Sequence, residues 1–342
     1  MESWNPAEVK SDIDNRETKQ PGSLIEMTRL ALSEHYAGAS IRIVGRISVR
    51  DNSEIFRTRI ETIAALDAAI KCCFVPHTKT PDESAAREQF LALEKEDNAL
   101  KKGLSRYRVP TPLYLAPELA TLTMSWVEGE SLTRRMRRPA IFIKGAAWFE
   151  VVGAWLGNFH TLGPMRHQKV NLAERLSVVE RLSASPLPDK SFAEAIRILK
   201  ITAPELEGIE AEMSWLHGDC KTDNFFLSGP DIYGIDISLS YENPVEYDLA
   251  QFFNNLDLLL ASPQNLYLAG MKSTLKSAFW RGYRSTGPSV SRAYLNWLRL
   301  NFSLSSWHTM QTEEKPGIRN WMLNRMFSTL VNRLTGKITS SQ

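Results

Sequence analysis

One stretch of the chain has residue types and spacing suited to chemistry: His217-Gly218-Asp219, then Asn224, then Asp236 twelve places further on in the run YGIDIS. Asp, Asn and Asp supply the hard oxygen atoms that suit a divalent cation, and a carboxylate that can orient a hydroxyl. Their neighbours Trp215, Leu216, Phe225, Phe226, Leu227, Ile232, Ile235 and Ile237 are apolar. That setting predicts half-buried strands, on which polar groups cost stability unless something binds them. Phosphoryl transfer needs such a set: one carboxylate for the acceptor hydroxyl and oxygen ligands for the Mg2+ on the phosphates. Asp219 fits the first role, and Asn224 and Asp236 fit the second. The competing reading is a plain hairpin whose Asp, Asn and Gly are turn formers.

Composition bounds what can position these residues. A chain of 342 residues is long enough for two domains or one large two-lobed one, and 43% hydrophobic with 23% charged residues excludes a disordered or fibrous protein. Lys and Arg number 41 against 39 Asp and Glu, so the net charge of +2 gives no reason to expect nucleic acid as a partner. Cys72, Cys73 and Cys220 are too few, and two of them too close in sequence, for a disulfide framework. The first twenty residues are polar and acidic, with the character of neither a signal nor a transit peptide. The most apolar stretch, Ile141 to Phe159, carries Lys144 and Glu150 at depths a membrane span would penalise. The expectation is a protein of the reducing cytoplasm without a transmembrane segment.

After the polar leader of residues 1–20, short β-rich runs occupy Ser40 to Phe74, with the turn sequence RDNS between the first two. Pro81-Asp82 then signals a helix with Phe90, Leu91, Leu93 and Leu100 as its apolar face and Gly103 as its end. TPLYLAP and TLTMSWV read as two more strands, which makes residues 21–127 a small β-rich unit with one main helix. Residues 128–342 read as mostly helical, with helices over Ala146 to Leu162, Lys190 to Lys200 and Val245 to Leu260 and several after Lys272. The island from Ser214 to Ser238 interrupts them.

The island resembles the H-G-D-x-x-x-x-N loop and following I-D strand of the kinase-like phosphotransferases, the aminoglycoside phosphotransferase and choline kinase group. Five fixed residues at set spacing arise by chance with a probability on the order of 10⁻⁴ in a chain this long. The resemblance implies a two-lobed, protein-kinase-like α+β fold that transfers the γ-phosphoryl group of ATP with Mg2+. It makes His217 a structural residue and Asp248 the brace of the catalytic loop. Lys221, two places after Asp219, resembles the lysine of the HRDLKxxN loop that reaches the γ-phosphate; a solvated loop lysine is the alternative. GAWLGNFHTL resembles the family helix behind the loop, with His160 a satisfied core residue.

Lys71 stands alone in the apolar strand AAIKCCF and needs anions. The resemblance supplies them as ATP phosphates and a helix glutamate, Glu88 first and Glu94 second. The first hairpin departs from the family because it lacks a glycine run, so Asn52 and Ser53 are its phosphate-contacting candidates beside an ordinary turn. VEGESL looks like the family's crossover, which assigns the adenine edge to the backbone of Ser125, Trp126 and Val127.

Only eleven residues separate Asp236 from Asp248, too short a platform for a peptide, so the expected acceptor is a hydroxyl or amine of a small molecule such as an amino alcohol, aminoglycoside or sugar. Ser238 replaces an acidic residue that choline kinases carry. The cluster Arg134, Arg135, Arg137 and Arg138 and the amphipathic C-terminal run admit peripheral membrane contact and a lipid-linked saccharide; a solvated face and a packed helix are the plainer reading. Trp297, Trp307 and Trp321 belong either to the core or to an acceptor pocket. The rival from another class is a nucleotide-binding pseudokinase that regulates a partner.

Overall fold

The computed structural model of the chain describes residues 23–103, 106–163, 165–187, 189–237, 242–313 and 317–340. The expected leader and Ser238 lie outside the described residues. Two compact units emerge: the described residues up to Asp97 with Pro110–Val127, and Asn98–Val109 with the chain from Glu128 onward.

In the first unit, α1 (Leu24–His35) precedes β1 (Ser40–Val49), β2 (Ser53–Glu61), β3 (Ala65–Cys73) and α2 (Glu83–Gly103), whose last turns belong to the second unit with β4 (Tyr107–Arg108). β5 (Pro112–Ala116) and β6 (Thr121–Ser125) complete an antiparallel sheet of order β1-β2-β3-β6-β5. Alternation along β3 sends its side chains to two faces. Ala68, Ile70 and Cys72 join Leu32 of α1, Ile41 and Ile60 in one core, while Cys73, on the face of Lys71, packs against Ala86 of α2. The helix α1 is an addition to the expected elements. Ser23 caps it in extended backbone, its Oγ accepting from the Glu26 N–H at 3.4 Å. α2 starts as Pro81-Asp82 predicts, with Asp82 accepting from the Ala85 N–H at 3.0 Å.

The second unit contains β7 (Glu130–Ser131), α3 (Leu132–Met136), α4 (Ile141–His160), β8 (Arg166–Lys169), α5 (Ala173–Ala184) and α6 (Lys190–Leu206). Then follow β9 (Glu210–Trp215), β10 (Phe225–Ser228), β11 (Asp231–Gly234), β12 (Glu242–Pro244), α7 (Glu246–Ala261), α8 (Lys272–Thr286), α9 (Arg292–Glu313) and α10 (Ile318–Thr339). Its strands form two small sheets, β4-β11-β10-β7 and β12-β9-β8. α4 and α8 meet backbone to backbone. A Cβ at Gly282 would lie 1.8 Å from the Glu150 carbonyl oxygen, and one at Gly153 would lie 2.1 Å from that of Phe279, so only glycine fits at this seam. The seam seats His160, the last residue of α4, against Tyr283 of α8.

Trp297 and Trp307 are core residues, whereas Trp321 is exposed. α10 buries Phe327, Leu330, Val331, Leu334 and Ile338, and no described helix is long and apolar enough to cross a membrane. In the arginine cluster, Arg135 donates to the Leu227 carbonyl at 2.9 Å and Arg138 pairs with Glu130.

Candidate active site

The site is built on the segment between β9 and β10. Its bend needs Gly218, whose φ of 79° lies in the left-handed region. The segment lacks ladder partners, and α7 supplies them from one helical stripe, Asp248, Gln251 and Asn255. Asp248 accepts from the N–H groups of His217 at 2.6 Å and Gly218 at 3.0 Å. Gln251 accepts from the Cys220 N–H at 2.9 Å and donates to the Gly218 carbonyl at 3.1 Å. Asn255 accepts from the Thr222 N–H at 3.1 Å and from its hydroxyl at 2.8 Å. Behind this stripe, His160 Nε2 lies 3.1 Å from Asp248 and Nδ1 lies 2.9 Å from the Tyr283 hydroxyl. An Nε2–H donated to Asp248 and a Tyr283 hydroxyl donated to Nδ1 satisfy both contacts.

His217 is fully buried against Trp155, Phe159 and Phe225. Burial holds its pKa below the ordinary value although Asp248, Asp219 and Asp236 pull the other way. The imidazole is therefore neutral at pH 7 and buttresses the loop from below. Cys220 is also fully buried, which raises its thiol pKa and leaves it a packing group.

Asp219 is half-exposed and ion-paired with the Lys221 ammonium. Asn224, buried, donates through Nδ2 to the Asp219 carboxylate at 3.0 Å and to its carbonyl at 2.8 Å, which turns its own Oδ1 to other work. The β10–β11 ladder runs to Phe225 opposite Gly234, and the Ile235 N–H donates to the Asn224 carbonyl at 2.9 Å. Asp236 follows one residue later. The sequence placed it within a strand; the structure places it beyond β11, with φ at 61°. Left-handed backbone at a non-glycine residue is costly, is best tolerated by Asn and Asp, and gathers at functional sites. The Asn224 amide oxygen and the Asp236 carboxylate are the hard donors that Mg2+ takes one or two of, leaving its other positions to phosphates and water. The residues present fit that ion.

A cavity of about 670 Å³ opens beside Asp219 and Lys221, walled by Arg175, Tyr247, Asn254, Phe302, Ser303 and Phe327 among others, all in the second unit. That volume suits a small molecule. Trp297, Trp307 and Trp321 do not line it.

In the first unit, Lys71 is only 6% exposed, on the sheet face that carries α2. Glu88 does not meet it: that side chain is exposed and accepts from the Ser84 hydroxyl at 3.0 Å, and Glu94 is exposed too. The helical period explains the correction. Ala86, Leu93 and Leu100 mark the inward stripe, and the carboxylates that share it are Glu96 and Asp97, both buried. Asn52 is exposed at the hairpin tip, whereas Ser53 is buried opposite Cys73 in the ladder. Asp51 accepts from the His77 N–H at 3.0 Å and Lys79 donates to the Arg50 carbonyl at 2.8 Å, tying the hairpin to the loop before α2. Of the three crossover residues, Ser125 donates its N–H to the Thr111 carbonyl at 2.8 Å and Trp126 to the Asp67 carbonyl at 3.0 Å. Val127 has its N–H outside these bonds.

Sequence reasoning missed Gln251 and Asn255, although their spacing from Asp248 along a helix was the signal. Comparison with known proteins extends the local picture to the whole fold. A glucosamine kinase structure aligns with a TM-score of 0.65, 13% identity and coverage of 95% of this chain and 89% of that one. Amicoumacin kinase hAmiN gives 0.58 and 13% with 93% and 96% covered, and choline kinase LicA from Streptococcus pneumoniae gives 0.53 and 14% with 91% and 100% covered. These likenesses show a shared kinase-like α+β fold. A search of curated proteins finds no match. The model of the phosphotransferase enzyme family matches residues 48–282, more than half of the sequence and a span that includes Asp219, Asn224, Asp236 and Asp248, so the chain belongs to that family of small-molecule kinases.

Proposed function

We propose that the enzyme uses ATP and Mg2+ to move the γ-phosphoryl group to a hydroxyl of a small molecule. The observation that carries this reading is the loop that α7 holds by three side chains, with Asp219 presented at a cavity of about 670 Å³. Relatives of the same fold support the nucleotide: the glucosamine kinase was solved with glucosamine, ADP and inorganic phosphate, and amicoumacin kinase with AMP-PNP and Ca2+.

Asp219 accepts a hydrogen bond from the acceptor hydroxyl, turns the oxygen lone pair toward the γ-phosphorus and takes the proton as the new P–O bond forms and the bond to the ADP oxygen breaks. Asn224 fixes the Asp219 carboxylate through its amide protons. The Lys221 ammonium, paired with Asp219 before substrate arrives, moves its charge to the γ-phosphate oxygens. In the first unit, Lys71 serves the nucleotide phosphates and the Val127 backbone the adenine edge. Asn224 and Asp236 would hold Mg2+, which when bound neutralises charge on the phosphates. His217 and Asp248 act through loop position alone. The three thiols are free and buried, which fits the reducing cytoplasm.

The test is Asp219→Ala. ADP formation with acceptor should fall roughly 10²- to 10⁴-fold, the span of a lost general base, while Mg-ATP still raises the melting temperature. Undiminished turnover removes Asp219 from the reaction, and a wild-type enzyme that Mg-ATP fails to stabilise removes the kinase reading.

A further inference from the structure

The chemistry of the cavity beside Asp219 says what kind of acceptor it takes, given the kinase reading on which this inference rests. An ammonium-bearing acceptor is recognised by carboxylates and by open aromatic faces. Among the described residues that line the cavity, Asp219 is the sole carboxylate, and the reaction engages it with the acceptor hydroxyl. The aromatic faces are taken as well. The Arg175 guanidinium lies over Tyr247 at 4.9 Å and over Phe302 at 5.3 Å, which fills the places where an ammonium would stack.

Arg175 is itself a receptor in waiting. Its Nε donates to the Tyr247 hydroxyl at 3.1 Å, which fixes the plane of the fork. Among the described residues its carboxylate partner is the adjacent Glu174 at 3.3 Å, whose side chain is 77% exposed. An exposed pair of this kind contributes little and yields readily to a better-placed anion. Nη1 takes part in neither bond. A planar fork held against two rings that pack edge to face, with one terminal nitrogen outside these bonds, can receive carboxylate or phosphate oxygens in pairs. Ser303 and Ser306 on α9 add hydroxyls along the same wall, while the Ser305 hydroxyl donates to the Asn301 carbonyl at 3.1 Å.

We infer that the acceptor carries a negative charge of its own, a carboxylate or a phosphate close to the hydroxyl that is phosphorylated, and that Arg175 receives it. Amino alcohols and aminoglycosides are disfavoured by the same residues.

The experiment measures ADP release by the full chain with Mg-ATP, at one ionic strength, over a matched panel. Glycerate and gluconate form the carboxylate arm, and glycerol 3-phosphate and glucose 6-phosphate form the phosphate arm. Glycerol and glucose are the neutral controls, and ethanolamine, choline and glucosamine are the cationic ones. The expected result is a kcat/KM at least about tenfold higher for one anionic arm than for its neutral and cationic counterparts, the size of a charge-assisted hydrogen bond. Arg175→Met should raise KM for that acceptor about tenfold or more, and Arg175→Lys should recover part of the loss. Melting temperatures report whether the variants fold, and the wild-type panel stands without them. Neutral or cationic acceptors turned over as well as anionic ones overturn the inference, as does an Arg175→Met enzyme of normal melting temperature and unchanged KM. If Mg-ATP stabilises the enzyme and no anionic probe binds or reacts, the acceptor inference alone falls. If Mg-ATP does not bind, the kinase reading falls with it.

Discussion

Two carboxylates on α7, Asp248 and Asp257, are almost wholly buried within a few helical turns of each other and are satisfied in opposite ways. Asp248 takes two backbone N–H groups and an imidazole. Asp257 takes four cationic side chains: Lys272 at 2.9 Å and Lys276 at 2.6 Å from α8, Arg299 at 2.5 Å from α9, and Arg333 from α10. Backbone donors sit where the chain puts them, so Asp248 sets the shape of a loop. Long cationic side chains adjust, so Asp257 gathers helices and tolerates small errors of position. The comparison teaches that burial of a carboxylate does not say what it is for; the chemistry of its partners does.

The largest effect is expected at Asp248. Asp248→Asn puts an amide N–H against backbone donors, and the loop that carries Asp219 loses its anchor. Turnover should drop at least about 100-fold, with Lys71 and the nucleotide affinity of the first unit unaffected. Steady-state kinetics beside Mg-ATP titration checks this. An Asp248→Asn enzyme with normal kcat would make the two carboxylates equivalent and break the contrast.

Next comes Asp257→Asn, which leaves four cations facing one another. The cost should be about 3–5 kcal/mol of stability, read by denaturant unfolding and partly relieved by salt. Turnover per folded molecule should stay within a few-fold of wild type. A selective loss of kcat at normal stability would move Asp257 into the catalytic machinery.

The smallest effect sharpens the surplus of charge. Burial pushes the Lys276 ammonium down to about 8, Asp257 opposing and Arg299 reinforcing that shift. The native protein gives up this proton before the unfolded chain does, so the charge costs stability fully below pH 8, and the cost fades as pH rises from about 8 toward 10.5. Wild type should therefore gain on the order of 2–3 kcal/mol from this group across that window. Lys276→Met should match or exceed wild-type stability at pH 7 and lack the alkaline gain. Unfolding free energies measured at pH 7, 8 and 9.5 decide it.

Much of this was legible from sequence where local pattern and tertiary demand agree. The first three strands, the start of α2 and the span of α7 follow from alternation, Pro81-Asp82 and helical period, and His217-Gly218-Asp219 with Asn224 declares its chemistry by spacing. What escaped had a signal of lower contrast. Ser23-x-x-Glu26 is a helix-start signature in front of α1, masked by the polar run before it. Glu88 opens the helix and so invites pairing with Lys71, yet the stripe through Ala86, Leu93 and Leu100 faces Glu96 and Asp97 inward instead. Gln251 and Asn255 look like ordinary helix-surface amides until a loop without ladder partners is laid on them. Arg175 is invisible in sequence, because its two aromatic neighbours come from α7 and α9.

The glycine seam between α4 and α8 has a reach beyond packing. With no side chain to compress, the two helices cannot absorb even one added methyl by a rotamer change. An alanine at Gly282 must lever the adjacent Tyr283 aside, and the phenol that steadies His160 goes with it. The fault would surface as a silent kinase with an intact cavity. A genetic screen for inactive alleles should thus return residues from this helix joint alongside those of the loop, lesions that abolish the chemistry without touching a reacting atom.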